Sequence, residues 1–204
     1  MSLIAAQYNG VHINLPEFNF GVDNKTEEFL KMNPMGMVPV MITPDGPISE
    51  STAMARYVAR MRRDTGLMGS TFYQQAQVDQ WIDWSNAELL PALTPWYYTV
   101  MGWMQPNMKN VETSKVNTTS KLAILNEHLA KHTFMVGERL TLADIIIVCD
   151  LFYPMKFIMD AKYRAPYPSL MRWFLTCVNQ VVRGLSVSHT APVRRRDGTC
   201  RSCH

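Results

Sequence analysis

The spacing of apolar positions changes once along this chain and divides it into two parts. Leu3-Ile4-Ala5-Ala6-Gln7-Tyr8 reads as the end of a helix, stopped at Asn9-Gly10, with Gly10 supplying the left-handed cap. Val11-His12-Ile13-Asn14-Leu15 alternates apolar with polar, the pattern of a half-buried strand. A loop follows to Asp23. Thr26 is placed to cap a short helix from Glu27 to Met32, whose two first-turn acids face the positive helix end. Two short apolar runs, ending at Ile42 and beginning at Pro47, flank Thr43-Pro44-Asp45-Gly46 and predict a hairpin. Ser49 or Ser51 can cap the next helix, from about Thr52 to Arg62, with Ala53, Ala55, Tyr57 and Val58 facing inward.

Beyond Gly69 the period is helical only. Gln74 to Leu90 places Val78, Trp81, Ile82, Trp84 and Leu89 at helical intervals, and Pro91 and Pro95 then disturb the pattern. A polar loop at Pro106–Asn110 precedes a helix with Leu122, Ile124, Leu125 and Leu129 as its apolar face. Phe134 to Leu140 is a connector. Thr141 opens a very apolar helix reaching Met159, and a last helix spans about Ser169 to Val182. The Met and Trp stripes read as core. The expected fold class is α/β plus all-α: an α/β unit over residues 1–66, a helical unit over residues 71–182, and a disordered tail over residues 183–204, where the periodicity vanishes.

Composition narrows the function classes. The 204 residues are 47% apolar and 18% charged, which supplies a large core. A net charge of +3, with much of the excess in Arg194-Arg195-Arg196, does not suit a nucleic-acid binder. The longest apolar stretch, Ile145 to Met159, is broken by Asp150, Pro154 and Lys156 and is too short for a bilayer, so no membrane association is expected. Met1 to Gly10 carries no secretory pattern. A cytoplasmic location follows as the expectation, with the four cysteines reduced and the sequons at Asn24 and Asn117 chance matches.

Three constellations carry candidate chemistry. The first is Met37-Val38-Pro39-Val40 ahead of a hairpin, followed by Glu50-Ser51 at a helix start. A proline opening a strand is a context for a cis bond, which turns the Val38 backbone outward to pair with an extended peptide. The adjacent helix start offers free N–H groups and the Ser51 hydroxyl to a carboxylate. An ordinary loop, strand and cap explains the same spacing. The second, Gly137-Glu138-Arg139-Leu140-Thr141-Leu142-Ala143-Asp144, sets Thr141 and Asp144 as a capping box, a structural rather than catalytic role, with Leu140 stapled against Ile145. The third, Cys200-Arg201-Ser202-Cys203-His204, matches haem-attachment spacing but has no accompanying ligand helix, and a zinc site lacks two further ligands; no metal site is expected. No catalytic residue is assigned. Tyr8 sits at a helix end and His12 on the solvent side of its segment.

The pattern Asn33-Pro34-x-Gly36-x-Val38-Pro39 with Glu50-Ser51, then Gly137-Glu138-Arg139-x-Thr141-Leu142-Ala143-Asp144, resembles the glutathione transferase superfamily. Within it, Leu3–Tyr8, Phe18–Gly21, Gln75–Val78 with Gln80-Trp81, and above all Arg172-Trp173-Phe174-Leu175-Thr176-Cys177-Val178-Asn179-Gln180 look like the gamma-subunit family of translation elongation factor 1. The resemblance runs from Leu3 to Gln180. It implies a thioredoxin-like domain, lacking its first strand, packed on a helical domain. It also implies a non-catalytic subunit that anchors the nucleotide-exchange subunit of the elongation factor 1 complex, with a homodimer left open. The alternative it implies is a glutathione transferase, conjugating glutathione to electrophiles, with Val38, Pro39, Glu50 and Ser51 holding the peptide as ligand or cosubstrate. No other cofactor is implied. A GST-like module in another assembly is a third reading. The missing strand and the divergence after Gln180 are read as departures from the family.

Overall fold

A computed structural model of the chain describes residues 1–182. The tail and its Cys-Arg-Ser-Cys-His motif lie outside the described residues. In chain order the elements are α1 (Ser2–Tyr8), a 3-10 turn (Asp23–Lys25), α2 (Glu27–Met32), β1 (Met41–Thr43), β2 (Gly46–Ile48), α3 (Ser51–Arg60), α4 (Phe72–Trp84), a π-helical turn (Ser85–Leu89), α5 (Leu90–Val100), α6 (Met108–Lys131), α7 (Leu142–Phe157), α8 (Ala161–Arg164) and α9 (Pro168–Val182).

Local signals set most of the N-terminal part. α1 ends in a Schellman motif: Val11 N–H donates to the Ala6 carbonyl and Gly10 N–H to that of Gln7, with Gly10 at φ +62°. Thr26 accepts from Phe29 N–H at 3.2 Å and starts α2. β1 and β2 pair antiparallel, Met41 opposite Ile48, across a turn in which Thr43 Oγ1 donates to the Gly46 carbonyl.

Several expectations are corrected. Val11–Leu15 is not a strand. Val11 and Ile13 are half-buried and His12 and Asn14 exposed, so the alternation holds, but Leu15 is exposed and no backbone among the described residues forms a ladder with the segment. A strand is a property of a pair, and periodicity reports only which side faces the core. The residue capping α3 is Glu50, not Ser49 or Ser51, and its side chain makes no capping hydrogen bond. α3 buries Met54, Ala55, Val58 and Ala59, while Ala53 and Tyr57 are only half-buried. On α6, Leu122, Leu125 and Leu129 are fully buried, but Ile124 points outward because its position falls off their shared face.

Pro91 and Pro95 do not end the long helix. A proline has no N–H to donate and its ring crowds the carbonyl four residues back. The wider π-helical turn at Ser85–Leu89 comes immediately before Pro91, in the second position of α5. Beyond Pro95, Trp96 N–H donates to Ser114 Oγ of α6 at 3.1 Å, and that hydroxyl donates on to the Ala92 carbonyl. A hydroxyl from the neighbouring helix therefore stands in the α5 ladder and locks α5 to α6.

α7 is the hub. Leu142, Ala143, Ile146, Ile147 and Leu151 are fully buried, so its stretch from Leu142 to Leu151 is enclosed by neighbours rather than apolar along one stripe, while Phe152, Tyr153 and Phe157 near its end are exposed. It packs against α1, α3, α4, α5 and α9. Each such leucine or isoleucine contributes about 1.5–3 kcal/mol of burial. The two parts of the chain share this core. Leu142 N–H donates to the Leu67 carbonyl at 2.8 Å, and Arg56 of α3 pairs with Asp79 and Asp83 of α4. Among the described residues no helix is long and apolar enough to cross a membrane.

Candidate functional site

The hairpin brings the first constellation to one place. Val38-Pro39 precedes β1 and Glu50-Ser51 follows β2, so both pairs emerge at the same end of it. The Val38–Pro39 peptide bond is cis. Glu50 has φ +70°, the one non-glycine residue with positive φ among the described residues, a conformation that costs about 1–3 kcal/mol and persists where surrounding structure imposes it. Glu50 O accepts from Met54 N–H, closing the first turn of α3. The amides of Ser51, Thr52 and Ala53 ahead of it have no acceptor among the described residues. Glu50 and Ser51 are exposed. The combination is an open helix start with three free donors and a hydroxyl, beside an exposed bend, and its chemistry suits a small molecule bearing a carboxylate.

Neither the Tyr8 hydroxyl nor the thiols of Cys149 and Cys177 are primed as nucleophiles. Tyr8 lies at the end of α1, and burial pushes its hydroxyl above its ordinary pKa, with Cys177 and Asp144 adding to the rise. Burial likewise raises the thiols of Cys149 and Cys177. Among the described residues no group of His, Cys, Asp and Glu could hold a metal ion.

Thr141 and Asp144 lie apart from that site, at the start of α7. Asp144 is fully buried, and its carboxylate accepts four hydrogen bonds: Thr141 N–H and hydroxyl on Oδ2, and Met135 N–H and Trp173 Nε1–H on Oδ1, at 2.7–2.8 Å. Burial raises its pKa and the four donors oppose that rise. This is a structural node, with every lone pair committed to the protein.

Two polar groups carry weight that the sequence reading missed. Asn9 is fully buried. Its Nδ2 donates to the Val58 carbonyl at 2.6 Å, Oδ1 accepts from Thr65, and its carbonyl accepts from Arg62, so it ties α1 to the end of α3. The interruption at Asp150 also has a purpose. Its Oδ2 accepts from the buried Ser85 hydroxyl at 2.8 Å, and it lines a cleft of about 240 Å³ between α5 and α7 with Leu90, Leu93, Tyr97, Tyr98, Trp103 and Tyr153. The only sequence signal for it was a charge inside a very apolar helix.

Comparison with known proteins agrees with this architecture. Residues 1–60 match the glutathione S-transferase N-terminal domain and residues 89–180 the C-terminal domain. A poplar glutathione transferase F1 crystal structure superposes with a TM-score of 0.79 at 19% identity, covering 89% of this chain and 90% of that one. The GST-like domain of Saccharomyces cerevisiae elongation factor 1-gamma superposes at 0.68 and 23% identity, covering 76% and 74%. The fold is therefore that of a glutathione transferase, with its two domains in order. At higher identity, a probable elongation factor 1-gamma of Arabidopsis thaliana is 45% identical over 181 residues, 88% of this chain and 44% of that protein. Elongation factor 1-gamma-A of Xenopus laevis is 43% identical over 183 residues, 87% of this chain and 41% of that protein. The chain belongs to the glutathione S-transferase family by both of its domains, and over them it is similar to the GST-like part of elongation factor 1-gamma. It spans less than half the length of these curated relatives.

Proposed function

We propose that the chain acts in the cytoplasm as a non-catalytic, GST-like subunit of the elongation factor 1 complex, anchoring the nucleotide-exchange subunit. The observation that carries this reading is the 41–45% identity to proteins named elongation factor 1-gamma over almost all of the described residues. Its chemistry is consistent with an assembly role, since the hydroxyl of Tyr8 and the thiols of Cys149 and Cys177 are all held in their protonated forms. The polar groups with the most partners, Asn9 and Asp144, hold helices together rather than face a substrate. The test is co-purification with the exchange subunit at equimolar ratio; failure to retain it at micromolar concentration overturns the reading.

A second reading, glutathione conjugation, is favoured by the free amides of Ser51, Thr52 and Ala53 beside Val38-Pro39. It predicts turnover with a generic electrophile that Pro39→Ala or Ser51→Ala abolishes. Absence of turnover in the unmodified chain rejects it.

A further inference from the structure

The cleft between α5 and α7 has a built polar floor that the functions above leave unused. Asp150 is 8% exposed and one carboxylate oxygen accepts from Ser85. The other oxygen has no hydrogen-bond partner among the described residues, and yet no buried side-chain polar atom there lacks one. That oxygen therefore opens into the cleft. The same reasoning places the hydroxyl of Tyr97, also 8% exposed and without a protein partner, at the cleft surface. No lysine or arginine pairs with Asp150 among the described residues. The amino group of Met1 lies near Asp150 and Cys149 and favours the ionised carboxylate, without an ion pair among the described residues.

The walls are aromatic. Trp103 meets Tyr97 and Tyr98 edge-on, with ring centroids 5.7 and 5.3 Å away, and is itself 63% exposed. Tyr153 lines the opposite wall from α7. An ionised carboxylate only accepts hydrogen bonds, so a ligand that satisfies it must donate. In a cleft with apolar walls an uncompensated charge is costly, and a cation relieves it. Aromatic rings attract cations and repel anions. The same charge disfavours ligands that would turn a carboxylate toward it.

We propose that this cleft binds a small organic cation, a protonated amine on an aromatic or aliphatic body. Its ammonium donates to Asp150 and the Tyr97 hydroxyl, and its body lies against Tyr98, Trp103 and Tyr153. The site is separate from the helix start at Ser51 and does not depend on the elongation-complex reading.

The experiment is calorimetric titration of the full chain with phenethylamine and with its uncharged counterpart 2-phenylethanol, alongside Trp fluorescence. The amine binds at least about tenfold more tightly than the alcohol, and Asp150→Asn removes that preference while the chain still melts cooperatively. Trp103→Ala, at an exposed position, weakens amine binding several-fold and leaves the melting temperature unchanged. Equal affinity for amine and alcohol, no binding at millimolar amine, or binding indifferent to both substitutions each overturns the proposal.

Discussion

Trp173 Nε1 donates to Asp144 Oδ1 at 2.7 Å, joining the last described helix to the first turn of α7 inside the core. The most specific stretch of the C-terminal part, Arg172–Gln180, and the Thr141–Asp144 cap are thus halves of one structural device. Asp144→Ala strands four donors, two of them backbone amides, and is expected to cost about 3–5 kcal/mol. Trp173→Phe keeps the ring volume and loses one bond, costing about 1–3 kcal/mol. In urea melts the double variant should lose less than the two single losses added together, and strict additivity rejects the coupling.

Helices α6 and α9 cap each other. Asn126 Oδ1 accepts from Ser169 and Leu170 N–H at 3.0 and 3.1 Å, and Arg172 donates to the Leu129 and His132 carbonyls at the end of α6. Asn126→Ala should destabilise by about 1–2 kcal/mol, while Asn126→Asp keeps the acceptor and places a negative charge at a helix N-terminus, with little loss. Equal losses for the two, measured by denaturant midpoint, contradict the capping role.

Asp150 makes stability depend on pH. Burial raises its pKa from 3.8 to about 6, against the lowering effects of the Ser85 hydrogen bond and the Met1 amino group. Tyr97, Cys149 and Tyr153 share its cleft and carry no positive charge. The folded chain therefore holds this proton more tightly than the unfolded chain. The contribution is fully present below about pH 4 and is lost as pH rises through about 6. Asp150→Asn removes the ionisation and should gain on the order of 2–3 kcal/mol at pH 8, and almost nothing near pH 4. A pH-independent difference in melting temperature between variant and parent rejects this assignment.

Glu50 sits at φ +70°, where a side chain is strained and glycine is not. Glu50→Gly should stabilise the folded chain by up to about 1 kcal/mol, offset in part by the freer unfolded backbone. A loss of more than about 1 kcal/mol means that the Glu50 side chain supports the α3 start in a way its lack of a capping hydrogen bond does not suggest.

The legible features were those whose causes lie within a few residues. The Gly10 stop, the Thr26 cap, the turn after Thr43 and the apolar face of Leu122, Leu125 and Leu129 are each written locally, because a cap, a turn or a helical stripe is satisfied by neighbours three or four positions away. The two family patterns were legible for the same reason, as contiguous runs. What they do together was not. Nothing in Arg172-Trp173 announces that one side chain closes α6 and the next reaches Asp144.

The sequence by itself determined α1 to α4, α6, α7 and α9, the short hairpin and the family resemblance, because periodicity and turn chemistry act along the chain. Only the tertiary structure decided that Val11–Leu15 stays unpaired, that Glu50 takes a positive φ, and that a hydroxyl from α6 enters the α5 ladder. Ser85 and Asp150 meet across a separation of 65 residues. Such pairs depend on which faces the packed helices turn toward each other, and that geometry exists only once the helices have packed around α7.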